Sequence, residues 1–345
     1  MSKSLATKYR PQTFEEVSGQ TNIVQILKRQ LETNSFKHTY LFCGPSGDGK
    51  TTIARIFAKN LNHGLGEPIE IDGASNNGVD NVRAIIDESK SRAMDAEYKV
   101  IIVDECHMLT IQAWNAFLKC LEEPSEYTIF VFCTTDPQKI PQTVQNRCQR
   151  FNLSRIDTNL IRDRLLYVSK CEGFTNYNEA CDYISKLSNG GMRDALSLLE
   201  KASDYSNDLS INNVLNALGN FSYKVFLELE NALYDGDQAT ILRIIEDSFR
   251  SGNDLKLFVE QFLDFTLDIN KYCLFKDISM TKIPSSIEKN DGTKLNLEYV
   301  INIENPIQYY NSLITKLLDL KTQLKYDTTP KTTIEVQLIN FSRGA

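Results

Sequence analysis

Eight consecutive residues, Gly44-Pro45-Ser46-Gly47-Asp48-Gly49-Lys50-Thr51, satisfy the spacing G-x-x-x-x-G-K-[ST] in full. They fall between an apolar run at 38–43 and a stretch of helical character that begins at Thr52. A strand that turns through glycines into a helix leaves backbone N–H groups aimed at one point, which suits phosphate oxygens. Lys50 adds a point charge for the outer phosphates, and the Thr51 hydroxyl can ligate Mg²⁺. The run from Gly44 to Thr52 is therefore expected to bind a nucleoside triphosphate.

Binding is not hydrolysis, and a second segment bears on that. Val100-Ile101-Ile102-Val103-Asp104-Glu105 is a β-branched apolar run closed by two carboxylates. Such a run reads as a strand buried on both faces. At its end, Asp104 is expected to hold Mg²⁺ through water and Glu105 to polarise the attacking water in line with the γ-phosphate. Cys106-His107 complete D-E-C-H, similar to the D-E-x-H box of helicases, but the sequence offers no second motor domain. His107 is read as a residue of the turn with no catalytic part.

Composition sets the outer limits. With 345 residues, 41% hydrophobic and 24% charged, the chain is expected to form two or three globular domains. No apolar run approaches the roughly 20 residues of a membrane helix, and Met-Ser-Lys-Ser lacks the apolar segment of a signal peptide. A cytoplasmic protein that does not engage membranes is expected. The eight cysteines are scattered and form no C-x-x-C pair, so they read as reduced core residues without disulfides or zinc. Residues 1–155 carry 18 basic and 18 acidic side chains, which leaves the whole net charge of −7 on residues 156–345. Any contact with nucleic acid is thus expected to be local and confined to the first half.

Strand-like segments at 38–44, 68–73, 99–105, 128–135 and 149–153 alternate with amphipathic helical ones, which predicts a parallel sheet covered by helices. Ile111, Trp114, Phe117, Leu118 and Leu121 mark one helical face, with Trp114 as core, and Pro124 ends that helix. After residue 155 the period is helical: 157–172, 176–188 and 191–204 read as a small unit, and further helices run from 222 to about 274, then over 306–325 and 332–342. The polar stretch 284–297 reads as a surface loop.

Further motifs occur in order: Lys8-Tyr9-Arg10-Pro11, Phe14, Val17, Gly19-Gln20, the phosphate loop, Asp104-Glu105-Cys106-His107-Met108-Leu109, Leu121-Glu122-Glu123-Pro124, Thr134-Thr135-Asp136-Pro137, Arg147-Cys148 and Gly190-Gly191-Met192-Arg193-Asp194-Ala195. Together they resemble the clamp-loader branch of the AAA+ ATPases, and within it the gamma/tau family of bacterial DNA polymerase III, densely over residues 4–200 and thinly beyond. The resemblance implies an α/β P-loop ATPase domain with a five-stranded parallel sheet (1–155), a small helical lid (156–219) and an all-α collar (220–345) that assembles a pentameric ring with other loader subunits.

By matching position, the resemblance implies that Tyr9, Arg10, Pro11 and Val17 line an adenine pocket. Thr135 stands at the first sensor position, with Thr134 on the other side of the strand as its lesser substitute. Arg193 stands at the second sensor. Arg147 stands at the trans-acting arginine, which reaches the neighbouring subunit's nucleotide. Asn77, Gly78 and Arg83, at a helix start, are the expected contacts to primer–template DNA, made to phosphate without regard to sequence. The implied cofactors are ATP and Mg²⁺, and the implied partners are a sliding clamp, DNA and the other subunits.

Two departures qualify the carry-over. The cysteine-rich zinc module of cellular gamma/tau chains is replaced by Leu61-Asn62-His63-Gly64-Leu65-Gly66-Glu67, so zinc is not expected. Asn146 stands where a serine usually precedes the trans-acting Arg-Cys, a small polar residue still able to cap a helix. The chain runs out at Ala345, just past a helix that resembles a last collar helix, so the long tau extension is not expected. A short, zinc-free form of this kind suggests a phage-encoded or streamlined loader. Two alternatives stand beside this reading: a non-hydrolysing, stator-like subunit, and a branch-migration helicase-like motor ending in a winged-helix domain.

Overall fold

The apolar runs become five parallel strands: β1 (Thr39–Cys43), β2 (Ile69–Asp72), β3 (Lys99–Asp104), β4 (Thr128–Thr134) and β5 (Gln149–Asn152). The computed structural model describes residues 3–277, 280–283 and 303–342, so the loop expected at 284–297 lies outside the described residues. The sheet order is β2-β3-β4-β1-β5 with every neighbouring pair parallel. The three central strands are buried along almost their whole length, whereas the edge strand β2 alternates between less and more exposed positions. Parallel strands covered on both faces need apolar side chains at every position, and an edge strand does not.

Each face of the sheet has its own core. Tyr40, Phe42, Val100, Ile102, Ile129 and Val131 point to one side, where they meet α2 (Thr21–Glu32) and α3 (Lys50–Leu61). Leu41, Ile101, Val103, Phe130 and Phe132 point to the other, against α4 (Val79–Ser89) and α5 (Ile111–Glu122). This is the period-2 alternation of strands resolved into a three-layer sandwich. Trp114 is buried there, its ring centroid 5.3 Å from that of Phe132. Ile111, expected on the same face, is instead 71% exposed. It occupies the first helical position after the N-cap Thr110, whose hydroxyl accepts from the Ala113 N–H, and Ala113 takes the core place.

The same residues divide into two compact units, Met1–Val168 with Ser188–Glu200, and Ser169–Leu187 with Lys201–Ala345. The first unit also contains α1 (Leu5–Lys8) and α6 (Gln142–Gln145). Next in the chain come α7 (Thr158–Glu172), α8 (Tyr177–Leu187) and α9 (Met192–Tyr205). The second unit continues through α10 (Ile211–Leu218), α11 (Tyr223–Asp235), α12 (Gln238–Arg250), α13 (Leu255–Phe275), α14 (Pro306–Leu324) and α15 (Pro330–Ser342). Helices α11 to α15 share one core built on Phe226, Leu233, Ile245, Phe258, Phe262, Leu317 and Ile334. No helix among the described residues is long and apolar enough to cross a membrane.

The cysteines are all free. Five are buried and Cys120 and Cys148 are partly so, but Cys171 is exposed, which corrects its reading as a core residue. It lies in the last turn of α7, where helical periodicity turns it outward.

One polar group in the second core is costly. Glu230 of α11 is fully buried, and neither carboxylate oxygen has a hydrogen-bond partner among the described residues. The hydroxyl of Tyr310 is a nearby donor that does not reach bonding geometry. Burial pushes the carboxyl up to about 8. Because the folded value is raised above the unfolded one, the folded state holds the extra proton, and stability falls as pH rises from about 4.5 to 8. Glu230→Gln should therefore raise the melting temperature of this unit by several degrees at pH 8 and by little at pH 4.5, as followed by circular dichroism at both pH values.

Candidate nucleotide site

At the carboxyl end of β1 the chain turns through Gly47 (φ 81°) and Gly49 (φ 96°), left-handed conformations that glycine adopts without strain, and enters α3 at Lys50. The helix thus starts two residues earlier than the sequence pattern suggests, which puts Lys50 and Thr51 in its first turn. Gly44 is required for a different reason: a Cβ there would stand 2.8 Å from the Leu153 carbonyl oxygen. Lys50 is buried, and its ammonium donates to the carbonyls of Gly44 (2.8 Å) and Pro45 (2.6 Å) inside the loop. The Thr51 hydroxyl donates to Asp104 Oδ2 at 2.7 Å. Two hard oxygen groups so placed form a donor set that suits Mg²⁺.

Beyond Asp104 the backbone bends sharply. Glu105 has φ 45° and ψ 41°, a left-handed conformation that costs a non-glycine residue about 1 kcal/mol or more. Its N–H donates to Asp104 Oδ1 at 3.0 Å. Gly73, at the end of β2, allows this bend, since a Cβ on it would come within 2.9 Å of the Asp104 and Glu105 carbonyl oxygens. Thr135, just past β4, donates from its hydroxyl to Glu105 Oε2 at 3.1 Å.

These groups open onto a cavity of about 270 Å³ within the first unit. Of the residues expected at a nucleotide site, Tyr9, Arg10, Pro11, Val17, Ser46, Gly47, Asp48, Gly49, Lys50, Thr51, Thr52, Asp104, Glu105 and Arg193 line it. Gly44 and Pro45 lie behind Lys50, and Thr135 behind Glu105. Arg147 does not line the cavity; its guanidinium pairs with Glu122 and donates to the Thr143 carbonyl. Asn77 and Arg83 are exposed at the start of α4, Arg83 pairing with Asp80 at 3.2 Å. Sequence reasoning missed Arg164, which lines the cavity and donates to the Tyr9 carbonyl at 2.9 Å. A single arginine on a helix resembles any solvated charge, so no local signal marked it.

The electrostatics of the cavity suit a polyanion. Burial, then the like charges of Arg55 and Arg193, lower the pKa of Arg10, with Glu70 and Asp104 opposing. The Arg10 guanidinium makes no hydrogen bond among the described residues. An anion seated beside such cations would relieve both their repulsion and their lost hydration. Asp48 acts in the opposite sense. It is only 1% exposed and both its oxygens lack partners. Burial pushes it up to about 6, Lys50 and Arg155 pull it down, and Asp194 pushes it up again.

A five-stranded parallel sheet with this strand order, a phosphate loop after β1 and an acidic pair after β3 define a P-loop protein of the AAA+ class. A family model described as DNA polymerase III, delta subunit matches residues 67–157. The chain is 34% identical over 367 residues to DNA polymerase III subunit tau of Bacillus subtilis (strain 168), covering 98% of this chain and 63% of that one. It is 31% identical over 363 residues to DNA polymerase III subunit gamma of Buchnera aphidicola subsp. Acyrthosiphon pisum, covering 97% of each. Against the tau/gamma subunit of Haemophilus influenzae the identity is 37% and the match covers 38% of the relative. The chain therefore spans only part of several of the curated relatives it matches. A solved structure of Thermotoga maritima RuvB, titled a Holliday junction branch migration motor, is 20% identical with a TM-score of 0.52 and covers 65% of this chain and 79% of that one, a likeness of fold alone. The chain belongs to the DNA polymerase III gamma/tau family.

The Asp48 geometry makes a testable statement. As an acid whose folded pKa is raised, Asp48 weakens the fold as pH rises from about 4 through about 6, and above that its charge opposes phosphate. Asp48→Asn should tighten nucleotide binding several-fold at pH 7.5 and leave it nearly unchanged at pH 5, as measured by titration calorimetry with a non-hydrolysable ATP analogue.

Proposed function

We propose that this chain is an ATP-hydrolysing subunit of a sliding-clamp loader. The observation that carries the reading is the array at the ends of β1, β3 and β4, where Thr51 meets Asp104 at 2.7 Å and Thr135 meets Glu105 at 3.1 Å beside the phosphate loop. The gamma/tau names of relatives that match nearly the whole of this chain support it. A non-hydrolysing subunit would have no use for an intact set of this kind.

In this reading the loop amides and Lys50 grip the phosphates, with Tyr9, Arg10, Pro11 and Val17 around the base. Thr51 and Asp104 would hold Mg²⁺, which supplies charge neutralisation at the β- and γ-phosphates when bound. Glu105 takes the proton of the attacking water, Thr135 orients the water or the γ-phosphate, and Arg193 ties its own helix to the nucleotide. Arg147, outside its own cavity, serves a neighbour's site once its pairing with Glu122 is exchanged for phosphate. ATP binding arranges the ATPase domains so that the clamp opens and primer–template DNA is gripped, with Asn77, Gly78 and Arg83 on the DNA phosphates; hydrolysis releases both. The division into ATPase domain (1–155), lid (156–219) and collar (220–345), a pentameric assembly through the collar, independence from zinc and a cytoplasmic location belong to the same proposal. Among the described residues, α11 to α15 are helices with a single apolar core, which favours a collar over the winged helix of a branch-migration motor.

The test is the ATPase rate of the purified chain with and without primed DNA and clamp. Glu105→Gln should keep ATP affinity while turnover falls by orders of magnitude, and Lys50→Ala should lose affinity itself. Normal turnover in Glu105→Gln would overturn the reading.

The interfacial role of Arg147 has its own check. Arg147→Ala should bind ATP normally as an isolated subunit, yet its clamp- and DNA-stimulated turnover should drop by roughly 10³ or more, the scale of arginine fingers elsewhere. Mixed assemblies of Arg147→Ala with Lys50→Ala, verified by differential tagging, should regain part of the activity. No recovery would mean that Arg147 acts within its own subunit or only structurally, and would overturn the interfacial role.

A further inference from the structure

His107 is the polar side chain next to the proposed chemistry that the reading above leaves without a task. It lies two residues beyond Glu105, in the short 3₁₀ turn Cys106–Met108, and its side chain is 11% exposed. Its Nδ1 stands 3.3 Å from Glu105 Oε2 and 3.2 Å from Thr134 Oγ1. Thr134 is wholly buried at the end of β4, and its Oγ1 accepts the Asp136 N–H at 3.0 Å, so this contact point is fixed. Thr135 donates to the same Glu105 Oε2 at 3.1 Å. One oxygen of the carboxylate is thus bracketed by two groups from different elements, while Oε1 has no protein partner among the described residues.

We propose that His107 is a positioning residue for hydrolysis: its Nδ1 carries a proton shared between Thr134 Oγ1 and Glu105 Oε2, and so fixes the direction in which Glu105 presents Oε1 to water. The inference rests on the reading of Glu105 as the water-activating carboxylate. The chemistry needs such a hold. The water oxygen bonds to the γ-phosphorus as its proton passes to Oε1, and the bridging P–O bond breaks to leave ADP and phosphate. A partly exposed carboxylate on a left-handed residue has other rotamers open to it, and in those the proton has nowhere to go. When the nucleotide draws the Thr135 hydroxyl toward phosphate or water, His107 is the tether that stays. The D-E-C-H order has a physical sense on this view, because the turn after Glu105 returns the ring to the carboxylate it follows.

The test uses the full chain and ATP as substrate. His107→Ala should lower kcat by about 10- to 100-fold while KM and ATP affinity stay within about twofold, the signature of lost orientation rather than lost binding. The two amides separate a hydrogen-bond role from a packing role. In His107→Asn the amide nitrogen can stand where Nδ1 stands and should restore most of kcat; in His107→Gln it reaches the place of Nε2 and should not. In the Glu105→Gln background, His107→Ala should cause no further loss. Unchanged kcat in His107→Ala, or equal rescue by Gln and Asn, would overturn the inference while the hydrolytic reading stood. Normal turnover in Glu105→Gln alone would overturn both.

Discussion

The hydrogen bond from Thr51 to Asp104, 2.7 Å long, is the contact on which the site depends. It joins the first turn of α3, which follows β1, to the last residue of β3. Those strands are not neighbours, because β4 lies between them, so the elements it joins follow strands two spacings apart, roughly 10 Å. It forms only if the sheet has this order and if the three strands end level. The register provides the second condition: Cys43 pairs with Thr134, and Val103 with Phe132. Level strand ends also bring Thr135 to Glu105 and the Gly44 N–H to the Thr134 carbonyl at 3.2 Å. The proposed chemistry gathers where three strands stop together, at the carboxyl edge where parallel sheets place their ligands.

The cavity is held in tension by charge. Arg55 and Arg193 both repel Arg10, Lys50 is turned into the carbonyls of its own loop, and Asp48 keeps a buried, unpartnered carboxyl. The repulsion around Arg10 is unfavourable in the isolated chain and would be relieved by an anion, whereas the charge of Asp48 works against one. That is a preorganised binding site in the electrostatic sense: the cost of gathering like charges is met during folding, so binding recovers it. The second unit shows the opposite case, a core of aromatic and aliphatic side chains interrupted by the carboxyl of Glu230, whose burial favours its neutral form.

Much of this was legible in the residues. The all-apolar runs at β1, β3 and β4 announced buried parallel strands, and the phosphate loop between strand and helix announced the anion site, because both are local patterns in which each residue type has one physical reason to be there. The margins were less legible. Ile111 fits the helical stripe by spacing, yet it stands exposed at the first helical position after the Thr110 cap. Cys171 looks like a core cysteine until the helix turns it outward. Arg164 carries no motif and enters the site only because α7 passes beside Tyr9.

What the sequence determined by itself was therefore the class of fold and the membership of the phosphate loop and acidic pair, since strand burial and loop geometry depend on neighbours a few residues away. Tertiary structure alone decided which side chains meet. Thr135 and Glu105 are 30 residues apart, Thr134 and His107 are 27 apart, and Thr51 and Asp104 are 53 apart. Read along the chain, His107 is merely a residue of a turn; folded, it is one of two groups on the carboxylate proposed to activate water. The physical reason is that hydrogen bonds act over about 3 Å, a range that strand order and register govern and sequence distance does not.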